Sequence, residues 1–311
     1  MITQKIVITG ATGMIGSALV ECAVKEGIEV LCIVRRDSSR LNNIPQSDLV
    51  KIRYCNIEEY CDLDLNDACD VFYHLAWDTT HGAFGDDIHT QVKNLQSTLD
   101  AVHLAKRLRC KKFVGSGSQA EYGIVAEPLK PETSINPESG YGIAKYAAGK
   151  LSRLLCSQLG LRFNWVRILS VFGPLDRTRT LIMYTINELQ AGRSPELTGC
   201  EQVWDYLYCD DAARAFLAIG NNGIDGKIYP LGSGKARLLS DYLESLKDIV
   251  NPGGILQFGK KKHFPHQPTY LCADISELTS DTGWKPEISF EDGIRKTVTA
   301  IASKSSYSNS T

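Results

Sequence analysis

Three side chains in the 311-residue chain have the types and spacing needed to move a proton. Tyr141 and Lys145 stand four apart in Ser139-Gly140-Tyr141-Gly142-Ile143-Ala144-Lys145, ahead of an amphipathic run through Ala148, Leu151 and Leu155. Residues four apart share one face of a helix, so the Lys145 ammonium can sit beside the Tyr141 phenol or beside a ligand bound there. A free phenol titrates near about 10, too high to work near neutrality, and a neighbouring cation lowers it by roughly one to three units. That shift would make Tyr141 a usable proton donor and acceptor. The third group is in Gly115-Ser116-Gly117-Ser118-Gln119-Ala120-Glu121-Tyr122-Gly123, where Ser118 is the expected donor to a substrate hydroxyl or carbonyl. A flexible Gly/Ser loop is the plainer alternative. A serine-nucleophile hydrolase is the other chemical reading of this segment, but nothing else supports it, because Gly-x-Ser-x-Gly is absent and the glycines and serines come in the wrong order.

A Tyr-x-x-x-Lys pair is common on surface helices and gains meaning only downstream of a suitable binding turn. Thr9-Gly10-Ala11-Thr12-Gly13-Met14-Ile15-Gly16 follows the strand-like Lys5-Ile6-Val7-Ile8 and opens onto a helical pattern with Ile15, Ala18, Leu19, Cys22 and Ala23 on one face, stopping at Gly27. A diphosphate needs a turn free of side chains, backbone N–H groups aimed at its oxygens, and the positive end of a helix beneath it. Gly10, Gly13 and Gly16, with Thr12, Met14 and Ile15 between and after them, meet those needs. Strand before and helix after favour a dinucleotide over a plain tight turn. The missing Lys-Ser/Thr excludes P-loop chemistry. At the end of the second strand Val34 replaces the acidic residue that would grip ribose hydroxyls. Arg35 and Arg36 can neutralise a 2′-phosphate, with Ser38 and Ser39 adding hydrogen bonds, so NADP(H) is favoured over NAD(H). Asp37 keeps NAD(H) open, and solvent exposure is the ordinary alternative for both arginines.

The elements that must hold these groups follow from the pattern. Six short runs rich in β-branched or aromatic residues, Ile6 to Thr9, Val30 to Val34, Val50 to Tyr54, Val71 to Leu75, Lys112 to Gly115 and Phe163 to Leu169, alternate with helical stretches. This predicts an α/β fold, a Rossmann-type doubly wound parallel sheet with a smaller C-terminal substrate lobe. The expected division is 1–175 for the dinucleotide-binding domain, with 204–230 packing back on it, 176–301 for the lobe, and a mobile polar tail over 302–311. Trp204 to Ile219 should be a strand followed by a helix. Hydrophobic residues at 43%, charged residues at 23% and a net charge of −2 give no field for nucleic acid or a membrane surface as partner. The ten cysteines are dispersed without Cys-x-x-Cys, so reduced thiols, no metal and a cytoplasmic location are expected.

Together these residues resemble the extended short-chain dehydrogenase/reductases, specifically the NAD-dependent epimerase/dehydratase family that modifies nucleotide sugars. The resemblance extends over nearly the whole chain through Val71-Phe72-Tyr73-His74-Leu75-Ala76, Asn94, Arg167 to Pro174, Asp205 to Asp211 and Gly283-Trp284-Lys285-Pro286. It implies that Leu75, Ala76, Asn94, Ser116 and Ile168 line the cofactor beside Tyr141 and Lys145, that the second lobe holds a nucleotide sugar, and that the helices with Asn94 and Tyr141 pair in a homodimer. Departures from the pattern matter equally. Gln119 and Ala120 replace the Asp-Glu pair of dehydratases, which argues against water elimination. Ser170, Trp204 and His266-Gln267 replace residues that usually grip the diphosphate, leaving Arg177, Arg179, Arg237 and Lys260 to Lys262 as candidate cations. Asn56, beside Ile57, takes the place of an adenine-binding Asp. Trp77 replaces a small residue by the nicotinamide, and Trp77 and Trp204 are candidate stacking groups for a substrate. The expected activity is hydride transfer to a 4-keto sugar nucleotide with Tyr141 as proton donor. A 4-epimerase with retained NAD and a non-catalytic dinucleotide sensor stand as alternatives.

Overall fold

The computed structural model describes residues 4–65, 67–78, 87–262 and 268–308, with side chains through Ser303. Its first half alternates strand and helix: β1 (Lys5–Thr9), α1 (Met14–Lys25), β2 (Glu29–Val34), β3 (Val50–Tyr54), β4 (Val71–His74), α2 (Ile88–Arg107), β5 (Lys112–Ser118), α3 (Gly140–Leu159) and β6 (Arg162–Ile168). Then come β7 (Ser170–Phe172), α4 (Leu181–Gln190), β8 (Val203–Trp204), β9 (Tyr206–Tyr208), α5 (Cys209–Asn222) and β10 (Ile228–Leu231). The chain closes with β11 (Arg237–Leu238), α6 (Leu239–Val250), α7 (Ser276–Thr282) and α8 (Phe290–Ser308).

Seven strands form one parallel sheet in the order β10-β6-β5-β4-β1-β2-β3. Side chains alternate across it, so Val7, Phe72, Phe113, Phe163 and Trp165 face α2 and α3, while Ile6, Ile8, Cys32, Tyr73 and Val166 face α1 and α5. Both faces are covered, which is why the inner strands read as continuous apolar runs. The strand order reverses between β1 and β4, and the crevice beyond those two strand ends is where ligands bind in such sheets. Local signals set the helix ends: Ser139 accepts from the Gly142 amide at the start of α3, and Gly160, at φ 67°, ends it.

Three elements differ from those the sequence pattern named. β10 was not among the expected strands: it is four residues long and contains Pro230, a combination tolerated only because it is the outermost strand. The expected strand from Trp204 is split into β8 and β9 by Asp205, whose buried carboxylate turns aside to other partners. The polar segment expected to be a mobile tail from 302 continues α8 through Ser308, with Thr299 and Ser303 hydroxyls bonded to carbonyls four residues back; 309–311 lie outside the described residues.

Elements after β7 are tied to the sheet by buried polar groups. Lys112, fully buried, donates to Ile219 O and Gly223 O, both at 2.9 Å, and so caps the end of α5. Asp211 receives the Glu287 and Ile288 amides, and Trp284 Nε1 donates to its carbonyl, which docks the chain's last quarter on α5. Asp205, also fully buried, accepts from Ser233 N and Oγ, Gly234 N and Ala273 N at 2.5–3.1 Å, joining three segments at one point.

Removing a buried acceptor strands every donor aimed at it. Asp205→Ala should therefore lower the unfolding free energy by about 3 kcal/mol in urea titrations. The exposed neighbour Glu201, changed to Ala, should shift it by less than about 0.5 kcal/mol.

Candidate active site

The glycine turn stands at the end of β1 and leads into α1. Gly10 has φ 73°, and a Cβ there would lie 2.7 Å from the Ala76 amide nitrogen; a Cβ on Gly16 would lie 2.1 Å from Gly10 O. Backbone therefore packs on backbone, and no side chain fills the turn. At the start of α1, Gly13 supplies no capping side chain and no acidic residue occupies the first turn, so the positive helix end is left for an anion. The Asn43 side chain donates to Thr12 O at 3.0 Å and steadies the turn, a contact that nothing in the sequence pattern signalled. The turn fits a dinucleotide diphosphate.

Across the crevice, the segment after β4 is fixed by an ordered chain of hydrogen bonds. The Thr98 hydroxyl donates to the Asn94 carbonyl at 2.8 Å, so it must accept from His74 Nε2 at 3.2 Å. His74 Nδ1 is then an acceptor for the Thr9 hydroxyl at 2.9 Å, and Thr9 Oγ1 in turn accepts from the Ala76 amide. Burial pushes the His74 pKa down to about 3, which keeps the ring neutral as this ordering requires. Asn94, expected at the cofactor, is buried behind the loop, and its amide holds both backbone groups of Asp78 at 2.8 Å. Leu75 and Ala76, just after β4, and Ile168, at the end of β6, are half-buried.

The structure brings Ser118, Tyr141 and Lys145 together. Ser118 ends β5, Tyr141 and Lys145 lie in the first two turns of α3, and the Ser118 hydroxyl is hydrogen-bonded to the Tyr141 phenol. Lys145, 3% exposed, donates to the Ser116 carbonyl at 2.8 Å and lies 3.7 Å from the centre of the Trp77 ring. The expected lowering of the phenol by Lys145 is not what the geometry produces. Burial pushes Tyr141 up to about 12, with the Ser118 hydrogen bond pulling it down, Glu121 adding to the rise and Arg177 opposing it. Lys145 is itself pushed down to about 7 by burial, against the pull of Glu121. Burial thus works against charge on both groups, on the half-buried Tyr141 as on the buried Lys145.

Sequence reasoning passed over the carboxylate beneath this site. Glu121, 1% exposed, accepts from Ser118 N and Trp165 Nε1 at 2.9 Å and from Arg167 Nε at 2.7 Å. Gly115 and Gly117 belong to β5 rather than to a flexible loop. A Cβ on either would lie 2.3 Å from the Trp165 indole, so these glycines make room for the ring that reaches Glu121. The available signal was a glutamate and an arginine flanking apolar strand ends.

At the outer end of the crevice, Arg36 forms an ion pair with Glu59, while Asn56 Oδ1 accepts from the Arg36 amide at 3.3 Å and caps the turn Ile57–Glu59. Arg36 is thus shared with a carboxylate, and Arg35 is exposed. Gln119 follows Ser118 half-buried. Ser170 and Trp204, expected at the substrate, satisfy one another through Trp204 Nε1 and Ser170 Oγ at 2.7 Å. Arg237 is paired with Glu291 at 2.8 Å and lies over the Tyr242 ring, so its guanidinium is already engaged within the protein. Arg177 is half-buried and within electrostatic reach of Tyr141, Arg179 and Arg40, whereas Arg179 and Lys260 to Lys262 are exposed. His266 and Gln267 lie outside the described residues.

The sequence signature of the NAD dependent epimerase/dehydratase family matches residues 6–232. The chain is 26% identical over 304 residues to CDP-abequose synthase of Salmonella typhimurium, covering 94% of this chain and 97% of that protein. It is 25% identical over 302 residues to a putative UDP-glucose 4-epimerase of Methanocaldococcus jannaschii, with coverage of 94% and 97%. The fold matches the UDP-N-acetylglucosamine 4-epimerase of Methanobrevibacter ruminantium, solved with UDP-N-acetylmuramic acid, at TM-score 0.86 and 24% identity, covering 98% of this chain and all of that one.

A lysine depressed by burial leaves a trace in stability. Between a folded value near 7 and the ordinary 10.5, the unfolded chain binds the extra proton, so stability rises as pH climbs through that window and is lowest below it. Relative to Lys145→Met, the native protein should gain on the order of 2 kcal/mol between pH 7.5 and 9, measured by urea unfolding at each pH.

Proposed function

The chain belongs to the NAD-dependent epimerase/dehydratase family, and from that premise we propose that it moves a hydride and a proton at a secondary alcohol or ketone of a nucleotide-activated sugar. The observation that carries this reading is the convergence of Ser118, Tyr141 and Lys145 at the crevice beside an uncapped, side-chain-free glycine turn. Gly10, Thr12, Gly13, Met14, Ile15 and Gly16 would hold the dinucleotide diphosphate, with Asn56, Ile57 and Arg35 at its outer end and Leu75, Ala76, Ser116 and Ile168 along it. When bound, the dinucleotide supplies the hydride acceptor and donor. Ser118 holds the reacting oxygen in place, Tyr141 takes or returns its proton, and Lys145 supplies positive charge beside them. Gln119 and Ala120 supply no acidic side chain after Ser118, which argues against elimination of water.

Epimerisation at sugar carbon 4 with NAD is the leading reading. It draws support from the Arg36–Glu59 pair, which puts a carboxylate where a 2′-phosphate would need cations, and from the 4-epimerase named among the relatives. Reduction of a 4-keto sugar with NADPH is the second reading, favoured by Arg35, whose exposed guanidinium has no ion-pair partner among the described residues. We also propose 1–175 with 204–230 as the dinucleotide-binding unit and 176–301 as the substrate lobe. A homodimer through α2 and α3 is consistent with exposed Ile88, Val92, Ile143, Leu151 and Leu154 on those helices. Ten unpaired cysteines suit a reducing cytoplasm, and among the described residues no helix is long and apolar enough to cross a membrane.

Purified protein incubated with UDP- and CDP-hexoses and their 4-keto forms should interconvert 4-epimers without net change in nicotinamide absorbance. Net NADPH oxidation with a keto sugar would instead favour the reductase, and the absence of both activities would favour a non-catalytic dinucleotide sensor. Tyr141→Phe should lower turnover by about 10²–10⁴-fold, and wild-type turnover in that variant would refute the assignment.

A further inference from the structure

Trp77 is a large side chain at a position where the family resemblance implies a small one, and it touches both proton-transfer residues. The Lys145 ammonium lies 3.7 Å from its ring centre. The Tyr141 ring meets it edge-on, with centroids 6.1 Å apart. Its Nε1 donates at 3.0 Å to Gln91 Oε1, a buried amide on α2, so a different element of the fold sets the plane of the indole.

We propose that Trp77 is a positioning residue of this site, whose π face holds the Lys145 ammonium in its place and in its charged form. The proposal rests on the reading of Tyr141 and Lys145 as the proton-transfer pair, and it assigns Trp77 a partner within the protein rather than a stacking role under a substrate.

An ammonium removed from water needs negative potential nearby, and among the described residues the site offers little of it. On β4, His74 is held neutral by its hydrogen bonds to Thr9 and Thr98. On α3 itself, Tyr141 is a neutral phenol, and Arg177 from the segment before α4 is a cation that lowers the phenol's pKa. Glu121, after β5, carries the favourable charge, yet its oxygens are engaged by Ser118, Trp165 and Arg167 rather than by Lys145. Among the described residues, the Ser116 carbonyl and the indole face meet the ammonium at closest range, with the Tyr141 ring centre farther off at 5.9 Å. Attraction of a cation to an indole is strongest when water is excluded, as it is for this buried side chain. An ammonium has three N–H groups. With one on Ser116 and one toward the ring, a third remains, among the described residues, for a bound molecule.

The test removes electron density from the indole without changing its shape. Tryptophan carrying one to four ring fluorines is placed at position 77 of the full chain, and the ionisation of Lys145 is followed by NMR of ¹³C-labelled lysine. The resonance is assigned by its loss in Lys145→Met. The acid dissociation constant of Lys145 should rise stepwise with each fluorine, about tenfold across the series. Trp77→Phe, with a smaller and weaker face, should fall within that range. A constant that does not change along the fluorinated series overturns the proposal and leaves Trp77 as packing. No substrate enters this titration, so a stepwise response alongside full turnover by Tyr141→Phe would retire the proton-transfer assignment while the Trp77–Lys145 interaction stood.

Discussion

A single carboxylate, Glu121, holds the working edge of this protein together. A buried charge survives only when its oxygens are well supplied with donors, and Glu121 draws them from the Ser118 backbone, the Trp165 indole and the Arg167 guanidinium. Those donors sit on two adjacent strands, β5 and β6, so satisfying the charge also fixes where β5 ends and where the serine hydroxyl begins. The indole can reach only because Gly115, Gly117 and, on α3, Gly149 leave it room. Helix, strand and reactive side chain are therefore registered against one another by the cost of leaving a negative charge unpaired in a dry interior.

The same dryness shapes the electrostatics above it. Lys145 and Tyr141 are each pushed by burial toward their uncharged forms, the opposite of a phenol sharpened by a nearby cation in water. What the free protein presents is a pair of groups that resist charge, arranged around a serine, with the ammonium supported by a carbonyl and an aromatic face. Charge brought in by a ligand would meet little screening there, and small differences in its placement would weigh heavily.

Much of this was legible in the sequence because it depends on short-range rules. The glycine turn, the strand before it and the helix after it are consecutive, and the four-residue spacing of Tyr141 and Lys145 is a helical rule. The six strands announced themselves by apolar runs that both covered faces demand. What stayed hidden depends on contacts between distant segments. The partnership of Glu121 with Arg167 spans 46 residues, the Trp204–Ser170 bond 34 and the Arg36–Glu59 pair 23, and no local pattern encodes any of them. The sign of the Tyr141 shift was misread for the same reason. Spacing shows that a cation is near, but the enclosure that outweighs it comes from elements elsewhere in the chain. β10 was not among the expected strands, and its Pro230 is acceptable only because the strand lies at the sheet edge.

That proline also limits how the sheet can grow. An open β-edge is a template on which another chain can add, and this sheet has two. At one end Pro230 removes a backbone donor, and at the other Lys51 and Arg53 set exposed charges along β3. Edge-to-edge pairing is discouraged on both sides, so the seven strands form a self-limiting array.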